Sequence, residues 1–306
     1  MQKAKNTMLP LDKIEEIELE LTGTCNLQCP LCARNNPSAK HLLVKNHRIF
    51  EEVIHQIESF PNLKRICLAG IISEPTLYKD FKRLIQYIGI RDLEVELYTN
   101  ADTHNIEWWK HLGEIFPANI RIYFTVCGST QELHEKYRKG SKLDRILEHA
   151  KVFKDSYMFK NDYIQHIKFN YNKEDFESEA MQNIISMFNN TFLINSLPYN
   201  ERFQFTVVED FNIPKHSKTY NRIKYHGIGK ILDGSAKINC KAIETNFLSI
   251  DQFGNQTPCF LYRMYKGTEY TNSDAKDIAH GKYEFCFECE KTCTHLLDQY
   301  QLERMA

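Results

Sequence analysis

Three cysteines crowd one short stretch near the start of the chain, Cys25-Asn-Leu-Gln-Cys29-Pro-Leu-Cys32. Three thiolates at this spacing can hold three irons of a cubane cluster, which leaves the fourth iron without a protein ligand. An open coordination position is what a catalytic metal needs. The alternative is zinc, which usually takes four ligands; the candidate fourth, His41, lies nine positions beyond Cys32. A second group, Cys240, Cys259, Cys286, Cys289 and Cys293, lies near the other end, with Cys286 and Cys289 as a C-x2-C pair. Four such thiolates can close an all-cysteine cluster site or a structural zinc site. Cys240, Cys259, Cys286 and Cys289 are the best four, and Cys293 could replace either of the last two. Cys67, inside an apolar run, reads as a small buried hydrophobe, and Cys127 stands apart.

These residues need elements to position them. Ile14–Leu21 alternates apolar and polar as a strand does, so the first cysteine group sits on the loop leaving it. Arg65–Ala69, Leu93–Tyr98, Ile120–Val126 and Tyr163–Asn170 read as further strands, and Phe192–Ile194 and Phe203–Val208 give the last strand signals. Helical spacing marks His47–Phe60, Leu77–Ile88, Asn105–Phe116, Leu143–Phe153 and Glu174–Phe188. Strands alternating with helices argue for βαβ units and a parallel sheet. About six units predict a partial (β/α)6 barrel, of the TIM type but short of the full eight. Catalytic groups of such a barrel come from the loops after the strands. The pattern breaks near Glu209–His226, which is polar and contains Pro214. The expected domains are therefore the barrel at 1–210 and a small cysteine-rich unit at 211–306. Within the latter, Leu248–Asp251 and Gln256–Phe260 read as a hairpin with Gly254 in the turn.

The chain has 306 residues, 42% hydrophobic and 26% charged, with a formal net charge of −1. That composition suits a packed globular protein. No basic excess points to nucleic acid, and no apolar run approaches the ~18 residues of a membrane span. Without a signal-type h-region at the start, the expected location is cytoplasmic. There ten cysteines would stay reduced, so their clustering points to metal or catalysis rather than disulfides.

C-x3-C-x2-C after the first strand of a barrel resembles the radical S-adenosylmethionine (SAM) superfamily. The resemblance implies that one electron from the cluster cleaves SAM to methionine and a 5′-deoxyadenosyl radical, which abstracts hydrogen from a substrate. Leu31 stands where the family usually has an aromatic residue, and would pack against the adenine. Gly70-Ile-Ile-Ser73-Glu74-Pro75 is similar to the Gly-Gly-Glu-Pro-like turn that receives the SAM amino group, although the glycine pair is broken. Glu74 could equally be a carboxylate at a helix N-terminus. Tyr98-Thr99-Asn100-Ala101 is similar to a Thr-Asn-Gly stretch near the ribose, with a plain turn as the alternative for Thr99 and Asn100. Thr125-Val-Cys127-Gly128-Ser129, followed by His134 and Arg138, resembles a segment of the SPASM and twitch subgroup. There a hydroxyl and an arginine hold the SAM carboxylate; Thr125 and Arg138 are the matching positions. Cys127 replaces an aspartate of that pattern. It is either an apolar filler or a hydrogen-atom donor to a substrate radical.

The order of the last cysteines resembles a twitch domain with one auxiliary [4Fe–4S] cluster. The resemblance implies two [4Fe–4S] clusters, SAM, and an electron donor such as flavodoxin or ferredoxin. It also implies a peptide or small-molecule substrate that is oxidised, dehydrogenated or cross-linked. Two rivals remain: a redox-neutral epimerase or C–C bond-forming enzyme, and a zinc-stabilised binding protein on a degenerate barrel.

Overall fold

The computed structural model describes residues 11–30, 32–35, 37–169, 171–195 and 246–257. Six parallel strands follow one another across the sheet: β1 (Glu16–Leu19), β2 (Arg65–Leu68), β3 (Glu94–Thr99), β4 (Ile120–Thr125), β5 (Asp162–Lys168) and β6 (Asn190–Asn195). Helices α1 (Phe50–Glu58), α2 (Phe81–Gly89), α3 (Ile106–Ile115), α4 (Gln131–Tyr137), α5 (Leu143–Ser156) and α6 (Glu179–Ile185) lie between them. Parallel neighbours need such crossovers. The result is an α/β fold with a parallel sheet, consistent with a partial barrel. The strand signal at 203–208 lies outside the described residues.

One element extends the sheet past β1. Strand β7 (Phe247–Ile250) pairs in parallel with β1, from Glu16 against Phe247 to Leu19 against Ile250. It turns into β8 (Gln256–Thr257), which runs antiparallel to it. The hairpin expected in the cysteine-rich unit is thus present and forms an edge of the barrel sheet, in the order β6-β5-β4-β3-β2-β1-β7-β8. Buried Asp251 accepts from the N–H groups of Phe253 and Asn255 at 2.9 and 2.8 Å and from Asn255 Nδ2 at 3.0 Å. Asn46 and Gln56 donate to the carbonyls of Gln252 and Gly254, which fastens the turn to α1 and the segment before it.

The two faces of the sheet differ. Ile17, Leu19, Ile66, Leu68, Val95, Leu97, Ile122 and Phe124 pack with Val53, Leu84, Trp109 and Phe153 of the helices in one apolar core. Alternation sends the residues between them to the other face. There the register aligns Ser249, Glu18, Cys67, Glu96 and Arg121 in one row. Tyr98, Tyr123 and Tyr163 stack along the next row, with ring centroids 4.4 and 4.7 Å apart. Cys67 is therefore not a packed apolar thiol as expected. It is half-buried among carboxylates, and burial, then Glu18, Glu96 and Glu16, holds its thiol protonated.

Several helices are shorter than their periodicity predicts. α1 starts at Phe50 because Thr22 and His47 form an isolated bridge and Arg48 N–H donates to Leu21 C=O, which keeps the preceding chain extended. Ile49, inside the segment whose spacing reads as helix, is 53% exposed. A 3-10 turn at Pro75–Leu77, ended by an extended Tyr78, delays α2 until Phe81. Ser178 caps α6 after another 3-10 turn at Asp175–Glu177.

Candidate functional site

The cysteine loop leaves β1 at the end of the sheet where barrel chemistry sits. Its backbone folds on itself: Cys32 N–H donates to Cys29 C=O at 3.0 Å, and Asn35 Nδ2 donates to the same carbonyl at 2.7 Å. Gln28 N–H reaches Lys139 C=O at 3.0 Å, tying the loop to the end of α4. Leu27 and Cys29 are buried with Cys127, Tyr137 and Phe169, and half-buried Cys25 and Cys32 pack against them. Burial, then Glu74 and the neighbouring thiols, push the Cys25 thiol up to about 12, and burial with Cys29 pushes the Cys32 thiol up to about 11. Such thiols ionise only when a strong positive charge faces them, as bound iron supplies. Among the described residues no three His, Cys, Asp or Glu side chains converge as the ligands of one metal ion. Leu31 lies outside the described residues.

Behind this loop runs the 70–75 turn. Gly70 sits at φ +56°, and a Cβ there would stand 2.4 Å from Ser73 O and 2.6 Å from Pro75 Cδ, so only glycine fits. Glu74 is 2% exposed, and its carboxylate is fully engaged. It accepts from Thr76 N–H at 3.2 Å, Thr76 Oγ1 at 2.8 Å, Thr99 Oγ1 at 2.7 Å and Asn100 N–H at 2.8 Å. Burial raises its pKa, and those four bonds oppose the rise. It caps the turn at Pro75–Leu77 and braces the ends of β2 and β3 together. Glu20, at the end of β1, was not singled out from the sequence. It is 1% exposed and accepts from Ile72 N–H at 3.0 Å and from the Ser73 hydroxyl. The only sequence signal for it is its place in the alternating Ile14–Leu21 run, at the catalytic end of a strand.

At the end of β4 the Thr125 hydroxyl donates to Gln165 Oε1 at 2.7 Å. Cys127 is wholly buried. Its N–H donates to His134 Nδ1 at 3.2 Å, and its C=O accepts from Asn172 Nδ2 at 2.8 Å. Burial raises its thiol pKa, partly offset by Arg138. Arg138 ends α4 with its guanidinium between this thiol and Cys29, Nη1 standing 3.9 Å from Cys29 Sγ. Burial disfavours its charge, but the two sulfurs outweigh that and raise its pKa. Arg138 Nε is buried with no hydrogen-bond partner among the described residues. Burial lowers His134 to about 3, with Arg138 adding to the effect, so the ring is neutral and accepts through Nδ1.

The structure therefore brings Cys25, Cys29, Cys32, Cys127 and Arg138 into one cluster. Gly70, Ser73, Glu74, Thr99 and Asn100 form a braced wall beside it, and Thr125 sits one strand further on. Helix α4, which aims Arg138, carried no helix signal in the sequence reading. Cys240, Cys259, Cys286, Cys289 and Cys293 lie outside the described residues.

The model of the Radical SAM superfamily matches residues 19–179, more than half of the chain. Among curated proteins, none matches. Among solved structures, SuiB of Streptococcus suis bound to precursor peptide SuiA superposes with a TM-score of 0.56 at 16% identity, over 91% of this chain and 67% of that one. The protein anSMEcpe with bound AdoMet gives a TM-score of 0.57 at 15% identity, over 90% and 79%. At such identities the likeness is one of fold. The matched segment carries every group of the cluster just described, and the chain belongs to the radical SAM superfamily, which implies an enzyme that uses SAM and a [4Fe–4S] cluster.

Proposed function

We propose that Cys25, Cys29 and Cys32 hold the SAM-cleaving [4Fe–4S] cluster, and that the enzyme abstracts hydrogen from a peptide or small molecule to oxidise or cross-link it. The observation that carries this is the convergence of the three thiols with Arg138, a half-buried cation whose buried Nε has no partner among the described residues. A guanidinium so placed suits the SAM carboxylate, with Thr125 as the second contact once its hydroxyl turns from Gln165 Oε1. When bound, the cluster supplies the electron that cleaves SAM. Gly70, Ser73 and Glu74 shape the turn that receives the SAM amino group, Glu74 acting as its internal brace. Leu31 would pack on the adenine.

A peptide substrate has extra support, because SuiB is described with precursor peptide SuiA and anSMEcpe with a Cp18Cys peptide. An auxiliary [4Fe–4S] cluster on Cys240, Cys259, Cys286 and Cys289, with Cys293 as substitute, rests on the number and order of those cysteines, as a twitch-type unit would have them. It would accept an electron in an oxidative reaction. A flavodoxin or ferredoxin would deliver the first electron, and a cytoplasmic location would keep both clusters reduced. Among the described residues no helix is long and apolar enough to cross a membrane. Cys127, with backbone and thiol both engaged, fits a structural filler better than the hydrogen-atom donor of a redox-neutral enzyme. Family membership displaces the zinc-stabilised binding protein.

Anaerobic reconstitution tests the assignment. Wild type should hold about eight irons per chain, and the Cys25, Cys29, Cys32→Ala variant about four. An unchanged iron content in the triple variant would refute the ligand set, and about four in wild type would refute the auxiliary cluster.

A further inference from the structure

Asn100, at the end of β3, has its backbone N–H and both ends of its side-chain amide committed. Its N–H donates to Glu74 Oε2 at 2.8 Å, and its Oδ1 accepts from Asp102 N–H at 2.9 Å. Because Oδ1 is taken by a donor, the amide orientation is fixed and Nδ2 is the group turned to the cysteine loop. Nδ2 stands 2.9 Å from Asn26 Oδ1 and 4.0 Å from Cys25 Sγ. Asn26 is fixed in turn, its Nδ2 donating to Asp102 C=O at 2.9 Å. Asp102, 3% exposed, is held by Arg145 and by Lys142 N–H at the start of α5. Buried Glu74 thus connects through Asn100, by its backbone N–H and then its side-chain amide, to Asn26 beside Cys25.

We propose that Asn100 is a positioning residue for the cluster: through Asn26 it fixes the Cys25 end of the loop, and through its own amide it donates to the Cys25 sulfur and raises the cluster's reduction potential. Hydrogen bonds to cluster sulfurs stabilise the more negative, reduced state. This rests on Cys25, Cys29 and Cys32 being the ligands. It gives Asn100 a different duty from the ribose contact implied by resemblance, since its side-chain amide is already engaged by Asp102 N–H, Asn26 and Cys25.

Asn100→Asp keeps Oδ1 as acceptor and replaces the donor with a negative oxygen. Asn26→Ser removes the amide partner and leaves Asn100 and its Glu74 bond in place. Each reconstituted full-length variant would be titrated electrochemically, following the EPR signal that changes on adding SAM, which belongs to the SAM-binding cluster alone. The expected result is wild-type iron content, a more negative midpoint potential in Asn100→Asp, and a smaller shift of the same sign in Asn26→Ser. SAM affinity should stay within about threefold of wild type. Unchanged potentials and EPR line shapes in both variants at full iron content would overturn the inference, as would a large loss of SAM affinity at unchanged potential, which would restore a nucleoside contact. A wild-type protein with no SAM-responsive cluster would instead overturn the ligand assignment itself.

Discussion

At the scale of single residues, the site is built by burying polar groups and then satisfying them. His134 is the sharpest case. It is wholly buried and neutral, with its pKa held near 3 by burial and its Nε2 against Ser141 Oγ at 3.0 Å. Between about 6.5 and about 3 the unfolded chain binds a proton at this residue that the folded chain refuses, so stability falls as pH falls through that window. The slope reaches at most about 1.4 kcal/mol for every pH unit. Urea unfolding from pH 7 to pH 4 should therefore show a steeper acid loss for wild type than for His134→Asn; equal slopes would mean the ring is solvated. Arg138 is the exception, since its buried Nε has no hydrogen-bond partner among the described residues. Arg138→Ala should weaken SAM binding by about 1.5–3 kcal/mol, the range for losing a hydrogen bond to a charged group, with iron content unchanged. Equilibrium binding to reconstituted protein measures this, and unchanged affinity would remove Arg138 from the SAM site. Cys25, Cys29 and Cys32 were legible in the sequence because their spacing is local. The bonds that hold them were not. Glu20 to Ser73 and Asn26 to Asn100 join residues 53 and 74 positions apart, which only the assembled sheet brings together.

At the scale of elements, the alternation of strands and helices was legible because the apolar face of each recurs at its own period. The ends of the elements were not, since they are decided by tertiary partners such as the Thr22–His47 bridge that delays α1. The β7–β8 hairpin shows the same division. Its turn was readable from Gly254 and its neighbours, but a local signal does not say which edge it joins. The structure places β7 parallel to β1, beside the strand that launches the cysteine loop. Asp251 organises that turn from a fully buried position, through three bonds to Phe253 and Asn255. Asp251→Ala should cost about 2–3 kcal/mol, the scale of charge-assisted bonds lost at a buried site. Hydrogen exchange should speed up first at Phe247–Ile250 and their β1 partners. Uniform protection in the variant would mean that the edge is held by its backbone ladder alone.

At the scale of the whole molecule, one parallel sheet collects groups from the ends of four strands onto one side of the cysteine loop. β1 brings the cysteines and Glu20, and β2 brings the 70–75 turn. β3 brings Thr99 and Asn100, and β4 brings Thr125 and Cys127, with α4 returning Arg138 to Cys29. That arrangement explains why a family resemblance carried by a few short motifs extends to residues 19–179 as a unit. The most direct measurement is turnover of SAM by the anaerobically reconstituted enzyme under a strong reductant, following 5′-deoxyadenosine by chromatography. Wild type should release 5′-deoxyadenosine, and the folded Cys25, Cys29, Cys32→Ala variant should release none above a protein-free control. A fully iron-loaded wild type that leaves SAM intact, or a triple variant that cleaves it as fast as wild type, would contradict the account.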